Sequence, residues 1–206
     1  MGQQNRMTPE GELVAADWRG ALTGNRGCLH VETPEGPVLG TRRWAHQAWV
    51  SCALSFRGRW RPLMPPRRWT ALFFWDEAAA FAAGHLPCGE CRYAAHDAMR
   101  HAWAAAGLPG KTAAERHRHL HAHRVRRDRT RVTVEAATAD LPDGTVVLVD
   151  SGAMLIASRR GHRWQPAAGG WQGNAVPLPS RAQVLTPWPV VGLFSAGYRP
   201  DWRLVR

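Results

Sequence analysis

The chain has 206 residues, of which 45% are hydrophobic, so it can bury a core in one or two domains and intrinsic disorder is not expected. Lys and Arg total 27 against 16 Asp and Glu, and the formal charge of +11 favours a polyanionic partner such as nucleic acid. An arginine bias of the genome is the alternative source of this charge, because Lys111 is the only lysine.

The four cysteines, at positions 28, 52, 88 and 91, are too few and too unevenly spaced for the disulfide framework of a small secreted domain. The first residues lack the apolar segment of a signal peptide, and no stretch approaches the roughly 18 apolar residues of a membrane span. We therefore expect a cytoplasmic protein without a membrane partner, whose reduced thiols are available to a metal ion.

Residues 1–48 are polar and rich in Gly, which predicts short strands and loops. Along residues 49–56 apolar side chains alternate with small ones, and this period of two predicts a strand whose Cys52 points inward. A second, aromatic strand is expected at residues 71–75. A hairpin of these two strands would bring Cys52 back over the later pair of cysteines.

Two helices are predicted to follow the aromatic strand. Asp76 is a typical N-cap, the alanine-rich run after it favours a helix, and Gly84 can end that helix in a left-handed conformation. A longer helix is expected after Cys91, because apolar residues recur there at three- and four-residue spacing until Gly107.

Residues 111–131 form a basic segment with eight Lys or Arg, two acidic residues and four histidines. This composition is typical of a solvated helix or a mobile arm. The functional alternative is a contact with phosphates, since each neutralised phosphate releases counterions and strengthens binding at low salt.

The last third of the chain is predicted to be mostly β. Residues 144–158 have the pattern of a hairpin that turns at its Ser-Gly pair. Thr186 and Pro187 resemble the N-cap and first residue of a short helix that stops at Gly197.

These elements predict an α+β fold, with a β-hairpin plus two helices and a mostly β C-terminal portion. The predicted division is a unit with N-terminal strands at 1–110, a basic connector at 111–131 and a β-rich portion at 132–206.

The strongest chemical signal is a CxxC motif in the sequence PCGEC, residues 87–91, between the end of one predicted helix and the start of the next. Both thiols can face one ion there, and free backbone NH groups at a helix start stabilise negative charge on sulfur. Redox chemistry is the alternative, but a thioredoxin-like CxxC follows a strand in a βαβ unit. We therefore predict that Cys88 and Cys91 bind Zn²⁺. Residues 1–110 are then expected to form a zinc-binding unit, in which the ion clasps the β-hairpin and the two helices.

A zinc ion takes four protein ligands in a structural site, or three and an open position in a catalytic one. The first choice for a further ligand is Cys52, which the predicted hairpin brings near the pair, and the second is His30 in a turn-rich segment. Other residues able to fill these places are Cys28, His85 and His96. A Cys52 that only packs as a small hydrophobic side chain is the alternative.

The run from Phe73 to Cys91, FFWDEAAAFAAGHLPCGEC, resembles the zinc-binding methylphosphotriester domain of the Ada DNA-repair proteins. With the Cys52 strand included, the resemblance covers about residues 52–91. It implies that the CxxC binds zinc and that an upstream cysteine pair supplies two more ligands, one of which accepts a methyl group from DNA. Phe56 stands where the second upstream cysteine would fall. Over a wider range, the segments GNRGCLH, LFFWDEA, AAGHLPCGECR and LTP…AGYRP together resemble an uncharacterised bacterial protein family.

Contact with nucleic acid, in DNA repair or modification, is the function that this resemblance and the charge favour. A basic and aromatic stretch between the two predicted strands can supply the contacts, because arginine binds phosphates and tryptophan stacks on bases. The candidate contact residues are Arg57, Arg59, Trp60, Arg61, Arg67, Arg68 and Arg92. A structural loop with solvated arginines is the alternative.

Further hypotheses concern the chemistry of the ion. Cys52 is a candidate methyl acceptor, because zinc keeps a bound thiolate nucleophilic. His30 and Glu32 match the H-x-E of zinc deaminases, so a zinc hydrolase or deaminase acting on a nucleobase or related small molecule is an alternative, with Glu32 or Glu90 as general base. The last alternative is a structural-zinc protein-interaction module that uses some of the eleven tryptophans.

Overall fold

The computed structural model of the protein describes residues 4–58 and 62–205. The helices in these residues are α1 (Glu77–Ala82), α2 (Tyr93–Ala105), α3 (Ala113–Ala122) and α4 (Trp188–Ser195), with a 3-10 turn at Thr138–Asp140. Among the helices so described, none combines the length and the apolar character that crossing a membrane requires.

Short strands make up most of the regular structure. In chain order they are β1 (Gln4–Met7), β2 (Leu13–Ala15), β3 (Leu22–Asn25), β4 (His30–Val31), β5 (Val38–Leu39), β6 (Val50–Ala53), β7 (Leu72–Phe74), β8 (Leu86–Pro87), β9 (Val134–Ala137), β10 (Val146–Val149), β11 (Gly152–Ala157), β12 (Arg160–Gln165), β13 (Gly170–Gln172), β14 (Arg181–Val184) and β15 (Leu204–Val205). They form a six-stranded sheet in the order β2-β1-β7-β3-β6-β8, a seven-stranded sheet in the order β15-β13-β12-β11-β10-β14-β9, and the pair β4-β5. The α+β class with a β-rich C-terminal portion is therefore confirmed.

The six-stranded sheet determines where Cys52 lies. β6 pairs antiparallel with β3 and, on its other side, parallel with β8. β3 also pairs with β7, so the expected direct pairing of β6 with β7 is not formed. Gly24 in β3 permits this insertion, because a Cβ at that position would lie 2.3 Å from the carbonyl oxygen of Val50.

β6 is shorter than the alternating pattern predicted. It ends at Ala53, and the Leu54 side chain that should continue the buried face is 53% exposed. Cys52 is buried, with 6% of its surface exposed, as predicted. The inward orientation of this thiol is thus correct even though the strand stops three residues early.

The short helix α1 lies between the two large sheets, and all six of its residues are buried. Ala78, Ala79 and Ala82 pack in one apolar cluster with residues of the seven-stranded sheet, and Ala80 belongs to a cluster with Phe74 of β7. Alanine suits these positions because a small side chain lets the helix approach both sheets closely.

The ends of α1 agree with the prediction. Asp76 is its N-cap and accepts a hydrogen bond from the backbone NH of Ala79 at 2.8 Å, and Gly84 has a φ of +83° just after the helix. The second carboxylate oxygen of Asp76 accepts hydrogen bonds from Trp171 Nε1 at 2.8 Å and from the backbone NH of Arg203 at 3.1 Å.

The longer helix α2 also follows the prediction. It begins two residues after Cys91, buries Met99, Ala102 and Trp103, and is followed by Gly107, which has a φ of +65°. Its buried face packs in a cluster that includes residues of α4.

The basic segment 111–131 contains α3 and is attached to the body of the protein. Thr112 and Glu115 form a capping box at the start of the helix, Leu120 is fully buried, and Arg116 and Arg124 are also buried. The helix was predicted, but these anchors distinguish it from a mobile arm.

The C-terminal portion contains the predicted hairpin, with Val149 of β10 opposite Gly152 of β11. α4 is also present, but its N-cap is Pro187, so the assignment of Thr186 as N-cap is wrong. The Thr186 hydroxyl is occupied elsewhere, because its Oγ1 accepts a hydrogen bond from the backbone NH of Val146 at 2.9 Å.

Candidate metal centre

Three thiols from two segments meet at the edge of the six-stranded sheet. Cys52 lies in β6, while Cys88 and Cys91 lie in the turn that connects β8 with α2. The three Sγ atoms are all within 4.8 Å of one another. We call these three residues the thiol cluster, and no other group of three or more ligand residues converges in this way within the described residues.

The pairing of β6 with β8 brings the two segments together. Ser51 lies opposite Pro87, and its carbonyl oxygen accepts a hydrogen bond from the backbone NH of Cys88 at 2.9 Å. The backbone NH of Ala53 points at Cys91 Sγ, with a distance of 3.3 Å. Each segment therefore supplies backbone hydrogen bonds that fix the position of the other.

The thiol cluster favours one ionised sulfur even before any ion is considered. The pKa of Cys88 is lowered to about 4, because the Cys52 thiol and the backbone NH groups of Cys91 and Glu90 donate hydrogen bonds to it, against the opposing effect of burial. The pKa of Cys52 is raised, first because its thiol proton is shared with Cys88 and second because it is buried. All four cysteines of the chain are free thiols.

The separations fit a tetrahedral ion with sulfur ligands. Zinc–sulfur bonds of about 2.3 Å in a tetrahedral arrangement place sulfur atoms about 3.8 Å apart, and the observed spacing lies within 4.8 Å. Thiolate ligands are preferred by zinc, copper(I) and iron–sulfur centres over magnesium or calcium. The thiol cluster is therefore compatible with three ligands of one soft metal ion.

Arg92 ties the two halves of the thiol cluster together. It follows Cys91 directly, and its Nη1 donates to the hydroxyl of Ser51, the neighbour of Cys52, at 2.9 Å. Its Nη2 forms an ion pair with the buried carboxylate of Glu77 in α1. Arg92 was expected to contact nucleic acid, but its side chain is only 11% exposed and is held in this internal ion pair.

Further donors hold the Glu77 carboxylate in place. Tyr198 donates its hydroxyl hydrogen to Oε1 at 2.8 Å, and the backbone NH of Asp201 donates to Oε2 at 3.1 Å. A charged pair that is buried requires such a complete set of partners, because an unpaired buried charge is strongly destabilising. The geometry of the thiol cluster thus depends on residues near the C-terminal end of the fold.

His30, the second choice for a zinc ligand, is not part of the thiol cluster. It lies in β4, and its Nδ1 is 2.7 Å from Thr70 Oγ1. Its Nε2 is 3.7 Å from the carboxylate of Glu32. The structure therefore does not combine His30 and Glu32 with the CxxC as the deaminase pattern requires, because β4 pairs only with β5 in a separate ladder among the described strands.

The other candidate ligands have different surroundings. Cys28 Sγ is 3.6 Å from the carbonyl oxygen of His30, outside the thiol cluster. His85 is fully buried and accepts a hydrogen bond from Arg26. The ring of His96 lies beside the CxxC turn, since a Cβ added at Gly89 would be 3.5 Å from both of its ring nitrogens.

The remaining candidate general base, Glu90, is exposed within the CxxC turn. Its backbone NH helps to lower the pKa of Cys88, so its main chain already contributes to the thiol cluster.

The predicted nucleic-acid contacts are only partly within the described residues. Arg57, Arg67 and Arg68 are exposed, whereas Arg59, Trp60 and Arg61 lie outside the residues that the structure describes. Arg57 and Arg67 have φ values of +53° and +56°, as expected for turn residues. Their exposure is compatible with contact to a polyanion and also with a solvated loop.

The tryptophans are mostly in the interior or partly covered. Of those that the structure describes, only Trp188 is classed as exposed, at 45%. Five are buried, and they are Trp18, Trp49, Trp103, Trp164 and Trp171. A large aromatic docking surface, as the protein-interaction hypothesis requires, is therefore not formed by the described tryptophans.

Sequence reasoning missed the ion pair and hydroxyl that support the thiol cluster. Glu77 was assigned only to the first turn of a helix, and Ser51 was treated as a small residue of an alternating strand. An acidic residue next to an N-cap is common in helices and does not indicate a partner fifteen residues later. The ion pair of Glu77 with Arg92 could therefore not be identified from the sequence.

No protein-family model, no curated protein and no solved structure matches this chain.

Proposed function

We propose that the protein binds one zinc ion through Cys52, Cys88 and Cys91 and contacts nucleic acid. The observation that supports the metal site most directly is the convergence of three thiol groups, from segments 36 residues or more apart, within 4.8 Å. Without an ion, the negative charge of an ionised sulfur in this group is balanced only by a proton shared with a neighbouring thiol. A divalent cation would balance that charge more completely.

The fourth position is best assigned to His96 or to a water molecule. His96 is on the first turn of α2, is partly exposed, and lies against Gly89 of the CxxC turn. Neutral imidazole is a common zinc ligand, and a change of side-chain rotamer is a small motion for a residue at the surface. A Cys₃His set would make a closed site, whereas a water ligand would leave it open.

A structural role is favoured over methyl transfer. Only 6% of the Cys52 surface is exposed, and a methylated DNA phosphate is a bulky substrate that must reach the accepting sulfur. Phe56 occupies the place of the second upstream cysteine of the Ada pattern. We therefore propose that the ion joins β6 to the start of α2, and that a reducing compartment such as the cytoplasm keeps the free thiols available.

The nucleic-acid part of the proposal rests on charge. The chain carries a formal charge of +11, and Arg57, Arg67 and Arg68 extend from one exposed loop region. Such an excess attracts polyanions over long distances, and the attraction weakens as salt increases. The resemblance to the Ada zinc domain points in the same direction.

The metal site is tested by measuring the metal content of the purified protein and of matched cysteine variants. We expect about one zinc per chain in the wild type and in Cys28→Ser, whose thiol is outside the cluster, and almost none in Cys88→Ser. A wild-type protein without bound metal after purification in the presence of zinc, or an unchanged content in Cys88→Ser, would disprove the site.

The nucleic-acid contact is tested by titrating a fluorescent random-sequence DNA at several salt concentrations. We expect binding at about 50 mM salt, with log affinity falling linearly as log salt rises. The absence of any binding at that salt concentration would refute this half of the proposal and leave the metal site intact.

A further inference from the structure

Three arginines meet at the C-terminal end of α1. The carbonyl oxygens of Ala82, Ala83 and Gly84 accept hydrogen bonds from Arg131, Arg26 and Arg124 in that order, and the Arg26 bond measures 2.8 Å. The last carbonyls of a helix have no partners within it and carry partial negative charge, so cations are favoured there. This explains why the arginines can be buried at this place.

One indole ring holds two of these arginines. Trp49 is 3% exposed, and the Cζ atoms of Arg26 and Arg124 lie 3.9 Å and 3.7 Å from the centre of its ring. Guanidinium groups at this distance interact favourably with the π electrons of the indole. Arg26 and Arg124 are themselves only 5% and 4% exposed, so their positions are fixed.

The guanidinium groups line an open cavity of about 370 Å³, which we call the arginine cavity. Its charged lining consists of Arg26, Arg43, Arg124, Arg129, Arg131, Glu10 and Glu12. A groove of about 620 Å³ adjoins it and shares Arg43 and Arg129, while adding Arg42, Arg126 and Arg127. Together, the arginine cavity and the groove are lined by eight arginines and two glutamates.

The two carboxylates offset only part of the positive charge of the buried arginines, because Glu12 acts on Arg26 and both glutamates act on Arg131. Glu12 pairs with Arg43 at 2.8 Å, at the exposed side, and Glu10 Oε1 accepts a hydrogen bond from the backbone NH of Ala153 at 3.1 Å. Arg26 donates its hydrogen bonds from Nε to His85 and from Nη2 to the carbonyl oxygen of Ala83, and to neither glutamate. Burial lowers the pKa of Arg26 to about 9, the neighbouring charge of Arg131 acts in the same direction, and the carboxylate of Glu12 opposes them without cancelling them.

We infer that the arginine cavity binds the phosphate group of a nucleotide unit, carried either by a single-stranded nucleic acid or by a free mononucleotide. Five arginines against two glutamates leave an excess of three positive charges. A phosphate monoester carries about two negative charges at neutral pH and each phosphodiester of a strand carries one, so the excess can compensate either. The planar guanidinium group matches the oxygen atoms of a phosphate in pairs.

The adjoining surface suits the rest of a nucleotide. Trp44 lines both the arginine cavity and the groove, and it is partly exposed, with its ring 5.9 Å from that of Trp49. An indole beside a phosphate site provides a flat surface on which a base can stack without selecting its sequence. A volume of about 370 Å³ lies in the range of small-molecule sites of roughly 300 to 1,000 Å³.

This inference rests on the nucleic-acid contact of the proposed function, and it names where the phosphate is held. The basic segment 111–131, whose function the sequence left open, supplies Arg124, Arg126, Arg127, Arg129 and Arg131. The metal ion takes no part, because the thiol cluster does not line the arginine cavity.

The test uses the full chain and a matched pair of double variants. Arg43→Ala with Arg129→Ala removes two exposed arginines that line both spaces but do not bond to α1. Arg163→Ala with Arg181→Ala removes the same charge from exposed positions outside both spaces. Binding of a twelve-residue oligothymidylate, of adenosine monophosphate and of inorganic phosphate is measured by calorimetry at about 50 mM salt.

We expect the Arg43/Arg129 variant to lose affinity by about 10-fold or more, and the Arg163/Arg181 variant to stay within about 3-fold of the wild type. Parallel losses for the oligonucleotide and for adenosine monophosphate identify a mononucleotide site. A loss for the oligonucleotide, with no binding of adenosine monophosphate, identifies a nucleic-acid strand as the source of the phosphate.

Equal losses in the two variants would overturn the inference, because the effect would then come from net charge alone. A third variant, Arg57→Ala with Arg67→Ala, separates the inference from the proposed function. If it alone abolishes oligonucleotide binding, the nucleic-acid contact stands and the arginine cavity is not its site. If no probe binds at all, the nucleic-acid contact and the cavity site both fail.

Discussion

The thiol cluster and the arginine cavity are both polar sites beside α1, but they balance their charge in different ways. The thiol cluster gathers potential negative charge, which a bound cation would compensate. The arginine cavity gathers positive charge that helix carbonyls and an indole ring already compensate in part. The first site should therefore depend on its ion for stability, and the second should remain folded when its ligand is absent.

The sites also differ in how far apart their residues lie in the sequence. Two of the three cysteines are three residues apart, whereas the arginine cavity draws on segments near residues 10, 26, 43 and 124–131. Proximity in sequence makes a site visible as a motif. A site assembled from several segments can be recognised only after the chain has folded.

Removal of the metal should have the largest effect and would test the first half of this comparison. A strong chelator should lower the free energy of unfolding by about 4 kcal/mol or more, the stabilisation given by a ligand at about 1,000 times its dissociation constant. Urea denaturation with and without chelator measures this change. Cys88→Ser is the control, since its stability should be insensitive to the chelator. An equal stability of the wild type in both conditions would contradict a stabilising ion.

Arg124→Ala should have the next largest effect, because it tests whether the arginine cavity is held together by the end of α1. The variant loses hydrogen bonds to the carbonyls of Gly84 and Gln47 and the contact with Trp49, so we expect a destabilisation of about 3 kcal/mol. Arg118→Ala removes an exposed arginine of the same segment and should change stability by less than about 0.5 kcal/mol. Similar midpoints of chemical denaturation for the two variants would mean that Arg124 does not support the helix end.

Gly84→Ala should destabilise the protein less, and it would show how closely Arg124 packs against the C-terminal end of α1. Gly84 has a φ of +83°, and a Cβ there would lie 2.8 Å from Arg124 Cδ. Gly107 also has a positive φ, of +65°, but a Cβ there would meet nothing within 4 Å. We expect a loss of about 2 kcal/mol for Gly84→Ala and about 1 kcal/mol for Gly107→Ala, measured by thermal unfolding. An equal loss at both positions would mean that only backbone strain matters.

Acidification should cause the smallest change in the free energy of unfolding, and it would probe the buried surroundings of Arg26. Burial, and then the charges of Arg26 and Arg124, hold the pKa of His85 well below its usual value. Below about pH 6.5 the unfolded chain therefore binds a proton that the folded chain does not, and stability falls as pH falls, by up to about 1.4 kcal/mol per pH unit.

Urea denaturation between pH 7.5 and pH 5.5 measures this slope. His85→Gln keeps an acceptor for Arg26 but does not titrate, so its stability should fall less steeply than that of the wild type. Identical slopes would show that His85 is not held neutral in the folded state.

The local features of the fold were predictable from the sequence, and they include the main ligands of the candidate metal centre. Asp76 and Gly84 mark the ends of α1 because their effects on the backbone depend only on neighbouring residues. Cys88 and Cys91 were identified by their spacing, and Cys52 by an alternating pattern that determines which face of a strand is buried.

The pairings between distant segments were not predictable in the same way. The hairpin expected to carry Cys52 is replaced by a parallel pairing of β6 with β8, because β3 takes the place beside β7. Nothing local distinguishes these arrangements, since both bury the same face of β6. His30 lies outside the thiol cluster for a similar reason, because its hydrogen bond to Thr70 depends on a contact between residues forty positions apart.

The hydrogen bond from Tyr198 to Glu77 has a consequence for the order of events during synthesis. The two residues are 121 positions apart, so the carboxylate that holds Arg92 against Ser51 must wait for one of its donors until 121 further residues have been synthesised. Until then the three sulfur atoms are aligned by the pairing of β6 with β8 and by the contacts of Arg92 and Ala53, without the support of Tyr198. A metal ion captured by the nascent chain would therefore secure this edge of the sheet before the C-terminal residues arrive to support it.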